Sequence, residues 1–127
     1  MKKLLLILLS VSLIYSCGGN DPNAVKFEKI GYYKSEDKYR CYAYTFDKDD
    51  EAQILKHAKQ RMHTNGRTTQ VYYFSKVPLG LGNYELLNQR SFFEAMNYCF
   101  DLDWIYQYGK SPNGKENFYK NEKYTKD

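Results

Sequence analysis

The two histidines are the side chains best suited to hold a metal ion or to move a proton near neutral pH. His57 and His63 are six positions apart. A helix turns by about 100° per residue, so this spacing directs the two side chains about 120° away from each other. A helical pair that chelates one ion lies four positions apart instead. We therefore predict no metal site and no bound cofactor.

Cys41 and Cys99 both fall at apolar positions of predicted secondary structure. Neither stands in a motif typical of a catalytic nucleophile, and burial raises the pKa of a thiol and lowers its reactivity. In an oxidising compartment the two could form a disulfide. Closing that loop of ~59 residues would contribute roughly 4 kcal/mol in the chain-entropy description. Two buried, unreactive thiols are the alternative, and sequence does not decide between them.

Carboxylates gather in residues 47–51 and in residues 101–103. A glycosidase needs two acids facing one cleft. The first cluster stands where a helix begins, where acids cap free N–H groups, and the second lies between a helix and a strand. The carboxylate cluster at residues 47–51 also lacks the glycine and the distal glutamate of an EF-hand calcium loop. The glycine-rich residues 80–83 do not match a phosphate-binding motif. We therefore predict that the protein is not an enzyme.

Hydrophobic periodicity predicts a single α+β domain over 25–119, followed by a polar tail over 120–127. A change of apolar phase between Phe27 and Ile30 predicts a bulge near Lys29. The sequence Ser91-Phe92-Phe93-Glu94 matches a helix capping box. The order is ββαβαββ, with strands over 25–33, 38–46, 67–77, 104–108 and 116–119 and helices over about 51–65 and 89–100. We expect a two-layer sandwich, a mostly antiparallel sheet with both helices on one face.

Aromatic residues make up 17% of the chain, and the second strand separates them from small side chains. Cys41 and Ala43 point to one face and Tyr42 and Tyr44 to the other. We expect helices on the small face and an open aromatic face, which is typical of protein interfaces and would also stack on sugar rings. Cover by loops and long polar side chains is the alternative. The predicted binding face comprises Arg40, Tyr42, Tyr44, Tyr72, Phe74, Trp104 and Tyr106.

The first residues have the organisation of a secretion signal. Lys2 and Lys3 precede an apolar run over 4–14, which is shorter than the ~20 residues that span a bilayer. The segment Leu13-Ile14-Tyr15-Ser16-Cys17 resembles the lipobox of bacterial lipoproteins, although Tyr15 is bulkier than is usual there. The resemblance implies a signal peptide over 1–16 and lipid on Cys17. The polar residues over 17–24 are typical of a flexible tether.

This resemblance implies a lipid-anchored protein of the cell envelope. Gly18 after the cysteine would favour the outer membrane, facing the periplasm, in Gram-negative bacteria. The 19 basic and 15 acidic residues are too evenly balanced to suggest nucleic acid as a partner. We expect a non-enzymatic module that binds another envelope protein, in an accessory or immunity-type role. The alternatives are a glycan- or peptidoglycan-binding lipoprotein that uses the aromatic sheet face, and an envelope hydrolase.

Overall fold

The computed structural model describes residues 21–35, 39–62, 68–81, 85–111 and 113–124. The predicted signal peptide and Cys17, the predicted lipidation site, lie outside these residues. Among the described residues, no helix has the length and apolar character needed to cross a membrane. The elements are β1 Phe27–Lys34, β2 Arg40–Phe46, α1 Glu51–Gln60, β3 Thr69–Phe74, α2 Phe92–Phe100, β4 Tyr106–Lys110, β5 Glu116–Lys120 and a 3-10 turn Glu122–Tyr124. The α+β class and the order ββαβαββ are confirmed.

The five strands form one mixed sheet in the order β1-β2-β3-β4-β5. β2 and β3 run parallel, joined across helix α1, whereas the other three neighbouring pairs are antiparallel. The register of β1 against β2 shifts between Lys29 and Gly31, which confirms the predicted bulge. Gly114 turns the β4–β5 hairpin with a φ of 84°, a conformation that glycine adopts without steric cost.

The two helices lie on opposite faces of the sheet, so the prediction of a two-layer sandwich with both helices on one face was wrong. Ile54 and Ala58 of α1 pack with Val71 and Tyr73 of β3. The side chains of Tyr72 and Phe74, which alternate with these along β3, join the core under α2. Because β3 is apolar on both faces, each face needs its own cover. The second core contains Cys41, Ala43, Phe92, Ala95 and Cys99.

Both helices begin at a side chain that satisfies a free backbone N–H. The carboxylate of Asp50 accepts a hydrogen bond from the Gln53 N–H at 3.1 Å. At α2, the Ser91 hydroxyl accepts from the Glu94 N–H at 3.2 Å, while Glu94 accepts from the Arg90 N–H at 2.9 Å. The predicted acidic run at 47–51 thus contains the cap of α1, and the predicted capping box caps α2, which begins at Phe92 rather than near residue 89.

The described end of the predicted tether is held against helix α1. The Val25 N–H donates to the Gln53 side-chain oxygen at 2.8 Å, and the Gln53 amino group donates to the Asn23 carbonyl at 2.9 Å. At the other end of the domain, Asn121 donates its backbone N–H to Ile105 and its side-chain amino group to Trp104. The chain is thus fixed to the sheet at both ends of the described domain.

Candidate functional site

The seven residues of the predicted binding face are divided between the two faces of the sheet. Tyr44 and Tyr106 lie in the core under α1, with Tyr42 packed against it, whereas Tyr72 and Phe74 lie in the core under α2. The prediction of one open aromatic face was wrong, because α1 covers the side of β2 that was expected to be open. The relative exposures are 8% for Tyr44, 1% for Tyr72, Phe74 and Tyr106, and 7% for Trp104; Arg40 and Tyr42 are half-buried.

Trp104 was expected on the same face as Tyr106, because a strand was predicted to include both. Strand β4 begins only at Tyr106, so the alternation does not extend back to Trp104. The indole instead packs edge-on against Tyr72, with 6.3 Å between ring centroids, and its N–H donates to the Phe100 carbonyl at 3.2 Å. The tryptophan therefore joins the end of α2 to the sheet.

His57 lies in an aromatic cluster under α1. Its ring stacks on Phe27 with centroids 3.9 Å apart and shares a hydrogen bond of 2.8 Å with the Tyr73 hydroxyl. Burial, with a smaller contribution from the charge of Arg61, lowers the pKa of His57 to about 4. The imidazole is therefore neutral near pH 7 and serves as a packing and hydrogen-bonding group. His63 lies outside the described residues.

Cys41 and Cys99 are both fully buried and face each other between β2 and α2. Hydrogen-bonding contact with Cys99, reinforced by burial, raises the pKa of the Cys41 thiol. Such a thiol is a poor nucleophile. The structure shows two free thiols in contact. The predicted disulfide thus stays a prediction, although the fold brings its two residues together.

The acidic residues are used in helix capping and in ion pairs. Hydrogen bonds from Gln53 lower the pKa of Asp50 at the start of α1. Asp49 accepts a hydrogen bond from the Tyr106 hydroxyl and lies 3.6 Å from the Lys120 ammonium. Asp103 pairs with Lys123. Within the part of the chain that the structure describes, no group of three histidine, cysteine or acidic residues could hold a metal ion.

Exposed large apolar side chains gather on the α2 side of the sheet. Leu79 is 96% exposed in the connection between β3 and α2, and Phe93 and Phe100 are 71% and 53% exposed on α2. Sequence reasoning missed this surface, although the small Ala95 opposite Cys41 and Ala43 indicates which side of α2 is buried. The set is Tyr39, Val77, Leu79, Leu87, Phe93, Phe100 and Tyr119.

Two concave surfaces lie among these side chains. The first, which we term the loop–helix cleft, has a volume of about 600 Å³ and is formed by residues 75–79 and 101–103. The second, the amide groove, has a volume of about 240 Å³ and lies between α2 and β5. It is lined by Gln70, Tyr72, Met96, Asn97, Phe100, Gln107, Gly109, Asn117 and Tyr119.

The two surfaces differ in charge. The loop–helix cleft combines the apolar Val77, Leu79 and Leu102 with the charged side chains of Lys76, Asp101 and Asp103. None of the side chains that line the amide groove carries a formal charge. The cleft therefore suits an apolar partner surface with charged neighbours, and the groove suits a neutral ligand.

Comparison with known proteins gives no match to a family model, to a curated protein or to a solved structure.

Proposed function

We propose that this protein is a membrane-anchored lipoprotein of the cell envelope, facing the periplasm from the outer membrane, that binds another envelope protein and is not an enzyme. The observation that carries the binding role is the gathering of exposed apolar side chains on the α2 side of the sheet. Exposed apolar side chains that lie close together mark interaction sites on folded proteins, and here Val77 and Leu79 line one concave surface while Phe100 and Tyr119 line another.

The loop–helix cleft is the centre of this proposed interface. Leu79 gains almost nothing from folding, because its side chain stays in water. Burying a leucine side chain against a partner contributes about 1.5–3 kcal/mol, so binding is the state that stabilises this residue. Val77, which is 54% exposed, lies in the same cleft. A pocket on the partner that accepts Leu79 would fit this geometry.

Charge defines the partner further. Lys76, Asp101 and Asp103 line the cleft, and Lys123 pairs with Asp103. Charges of both signs at the rim of an apolar contact favour a partner with the complementary charges and set its orientation. The partner is therefore a protein with an apolar pocket whose rim carries charges of both signs.

A non-enzymatic role is supported by how the reactive side chains are used. His57 is packed among rings, Cys41 is a buried thiol with a raised pKa, and Asp50 caps a helix. The predicted aromatic sheet face offers no surface for glycan binding, because Tyr44, Tyr72 and the other core aromatics of that set are buried.

The anchor is supported by the resemblance of residues 13–17 to a lipobox, and it is tested independently of binding. Cys17→Ser should release the protein from membranes or block its processing. Unchanged membrane fractionation and unchanged mass of the Cys17→Ser protein would refute the lipid anchor.

The binding role is tested by placing a photocrosslinking amino acid at position 79 of the full chain in intact cells. Illumination should produce a discrete adduct with one envelope protein. A probe at Lys56, which is exposed on α1 at the opposite side of the sheet, is the matched control and should give no such adduct. Adducts that are the same from both positions, or absent from position 79, would contradict the proposal.

A further inference from the structure

The amide groove exists because helix α2 covers only part of its side of the sheet. The helix packs on β1, β2 and β3, and beside it the same face of β4 and β5 remains accessible. Gln107 on β4 lies opposite Tyr119 on β5, and Gly109 lies opposite Asn117. The floor of the groove therefore consists of amide side chains at neighbouring positions of three strands. They are Gln70 on β3, Gln107 on β4 and Asn117 on β5.

Gly109 determines how these amides are arranged. A Cβ atom at this position would lie 2.2 Å from the Gln70 side-chain oxygen, so only glycine allows Gln70 to lie across β4. In this position the Gln70 amino group donates to the Gln107 side-chain oxygen at 2.9 Å. The bond fixes both side chains and keeps the Gln107 amino group for a ligand. The floor is thus organised before any ligand arrives.

Aromatic rings flank this floor. Phe100 is 53% exposed at the end of α2, where its ring packs against Trp104 with centroids 5.8 Å apart. Tyr119 is 54% exposed on β5, at the opposite side of the groove. Both rings present apolar faces to solvent beside groups that donate and accept hydrogen bonds.

We propose that the amide groove binds one or two rings of a neutral carbohydrate. A sugar ring has a rim of hydroxyls, each a donor and an acceptor, and amide side chains offer both functions. Its C–H faces pack on aromatic rings. The volume of about 240 Å³ lies below the ~300 Å³ at which pockets for drug-sized ligands begin, which fits a ring or two rather than a larger group.

The composition of the groove disfavours other occupants. An anion or a cation would find no opposite charge among the lining residues. An apolar protein side chain placed on the floor would remove water from Gln70, Gln107 and Asn117 without replacing their hydrogen bonds, which is costly. This site is separate from the loop–helix cleft and does not depend on the proposed protein partner.

The test measures binding of neutral tetrasaccharides of glucose, of mannose and of N-acetylglucosamine to the full chain by titration calorimetry. The protein is held in a detergent without a sugar headgroup, which would itself compete. We expect saturable binding of at least one tetrasaccharide. Tyr119→Ala and Gln107→Ala should each weaken it about tenfold, and Gly109→Ala should do the same because its methyl group displaces Gln70.

Two variants serve as controls. Phe93→Ala removes an exposed aromatic ring that does not line the groove, and Leu79→Ser alters the proposed protein interface. Both should retain carbohydrate affinity within about twofold of the original protein. Thermal unfolding of every variant confirms that it is folded; Tyr119→Ala, at an exposed position, is the variant on which the decision rests.

The proposal is overturned if none of the tetrasaccharides binds at about 10 mM. It is also overturned if Phe93→Ala weakens binding as much as Tyr119→Ala does, which would indicate nonspecific adhesion to exposed rings. Loss of the position-79 crosslink with intact carbohydrate binding refutes only the protein-binding proposal, so the two failures are distinguishable.

Discussion

The two faces of the sheet are covered in physically different ways. Helix α1 packs on large aromatic side chains, and its His57 lies among Phe27, Tyr44 and Tyr73. Helix α2 lies over the small Cys41 and Ala43 and approaches the strand backbones more closely than α1 does. Close approach fixes α2 firmly over β1 to β3, but it leaves β4 and β5 beside it uncovered. Both concave surfaces described above lie on this side.

The faces also differ in what their polar groups do. Under α1, Tyr73, Tyr106 and Tyr108 bury their rings, and each places its hydroxyl on a partner, namely His57, Asp49 or Glu116. A buried tyrosine satisfied in this way stabilises the fold without presenting a surface. On the α2 side, apolar rings and amides instead remain exposed. The tyrosines under α1 therefore serve the fold, and the α2 side is the candidate binding surface.

The largest expected effect concerns Cys41 on β2 and Cys99 on α2, whose thiols are in contact. Transfer of two electrons and two protons from Cys41 and Cys99 to a disulfide oxidant would link the two elements covalently. We expect the oxidised full chain to be more stable than the reduced chain by about 4 kcal/mol. Urea unfolding with and without a reductant measures the difference.

A Cys41→Ala variant is the control, since its stability should not depend on the reductant. Thiol labelling of the denatured protein, taken directly from the envelope, decides whether the bond forms in the cell. Complete labelling of both cysteines would show that packing alone holds α2 on the sheet.

The second test concerns the attachment of α1, whose fully buried side chains are Ile54 and Ala58. Ile54→Ala should lower the free energy of unfolding by about 3 kcal/mol, because the cavity adds to the lost burial. Leu55→Ala, one position along at the edge of the same core, should cost about 1 kcal/mol. Chemical denaturation compares the two. Equal losses of unfolding free energy in the two variants would mean that the contact of α1 with the sheet is not confined to the side of the helix that carries Ile54 and Ala58.

Local signals in the sequence predicted the elements better than their arrangement. The acidic run at 47–51 and the capping box that begins at Ser91 indicated where both helices are capped, and the phase change near Lys29 located the bulge. The face on which each helix lies depends on long-range packing, which periodicity does not specify. The residues from Val71 to Phe74 are apolar on both faces of their strand and so require cover on both faces of the sheet, whereas the predicted sandwich covers only one. The aromatic binding face was misplaced for this reason.

The amide groove was beyond sequence reasoning for a different physical cause. It depends on Gly109 leaving room for Gln70, two residues 39 positions apart that become neighbours only through the pairing of β3 with β4. A glycine within a strand does signal a close approach of another group. Which group approaches cannot be known before the register of the strands is known.

The smallest expected effect is a dependence of stability on pH that originates under α1. The pKa of His57 is about 4 in the folded protein, against about 6.5 when unfolded. Between these two pKa values the unfolded chain binds the proton more strongly than the folded protein does. The contribution of His57 to the free energy of unfolding is therefore fully present above the unfolded pKa and is lost as the pH falls towards the folded pKa. Since the ring is half-buried, solvent screening reduces the loss to about 1–2 kcal/mol.

This dependence is isolated by comparison with His57→Gln, whose amide can still bond the Tyr73 hydroxyl but does not titrate. Carboxylates titrate in both proteins, so their contributions cancel. The difference in unfolding free energy between the original protein and His57→Gln should therefore differ between pH 7.5 and pH 4.5, but it should stay constant above pH 7. Parallel curves throughout would show that His57 is protonated without disturbing the cluster. The position-79 crosslink should be unaffected by the substitution, because the proposed interface lies on the other face of the sheet.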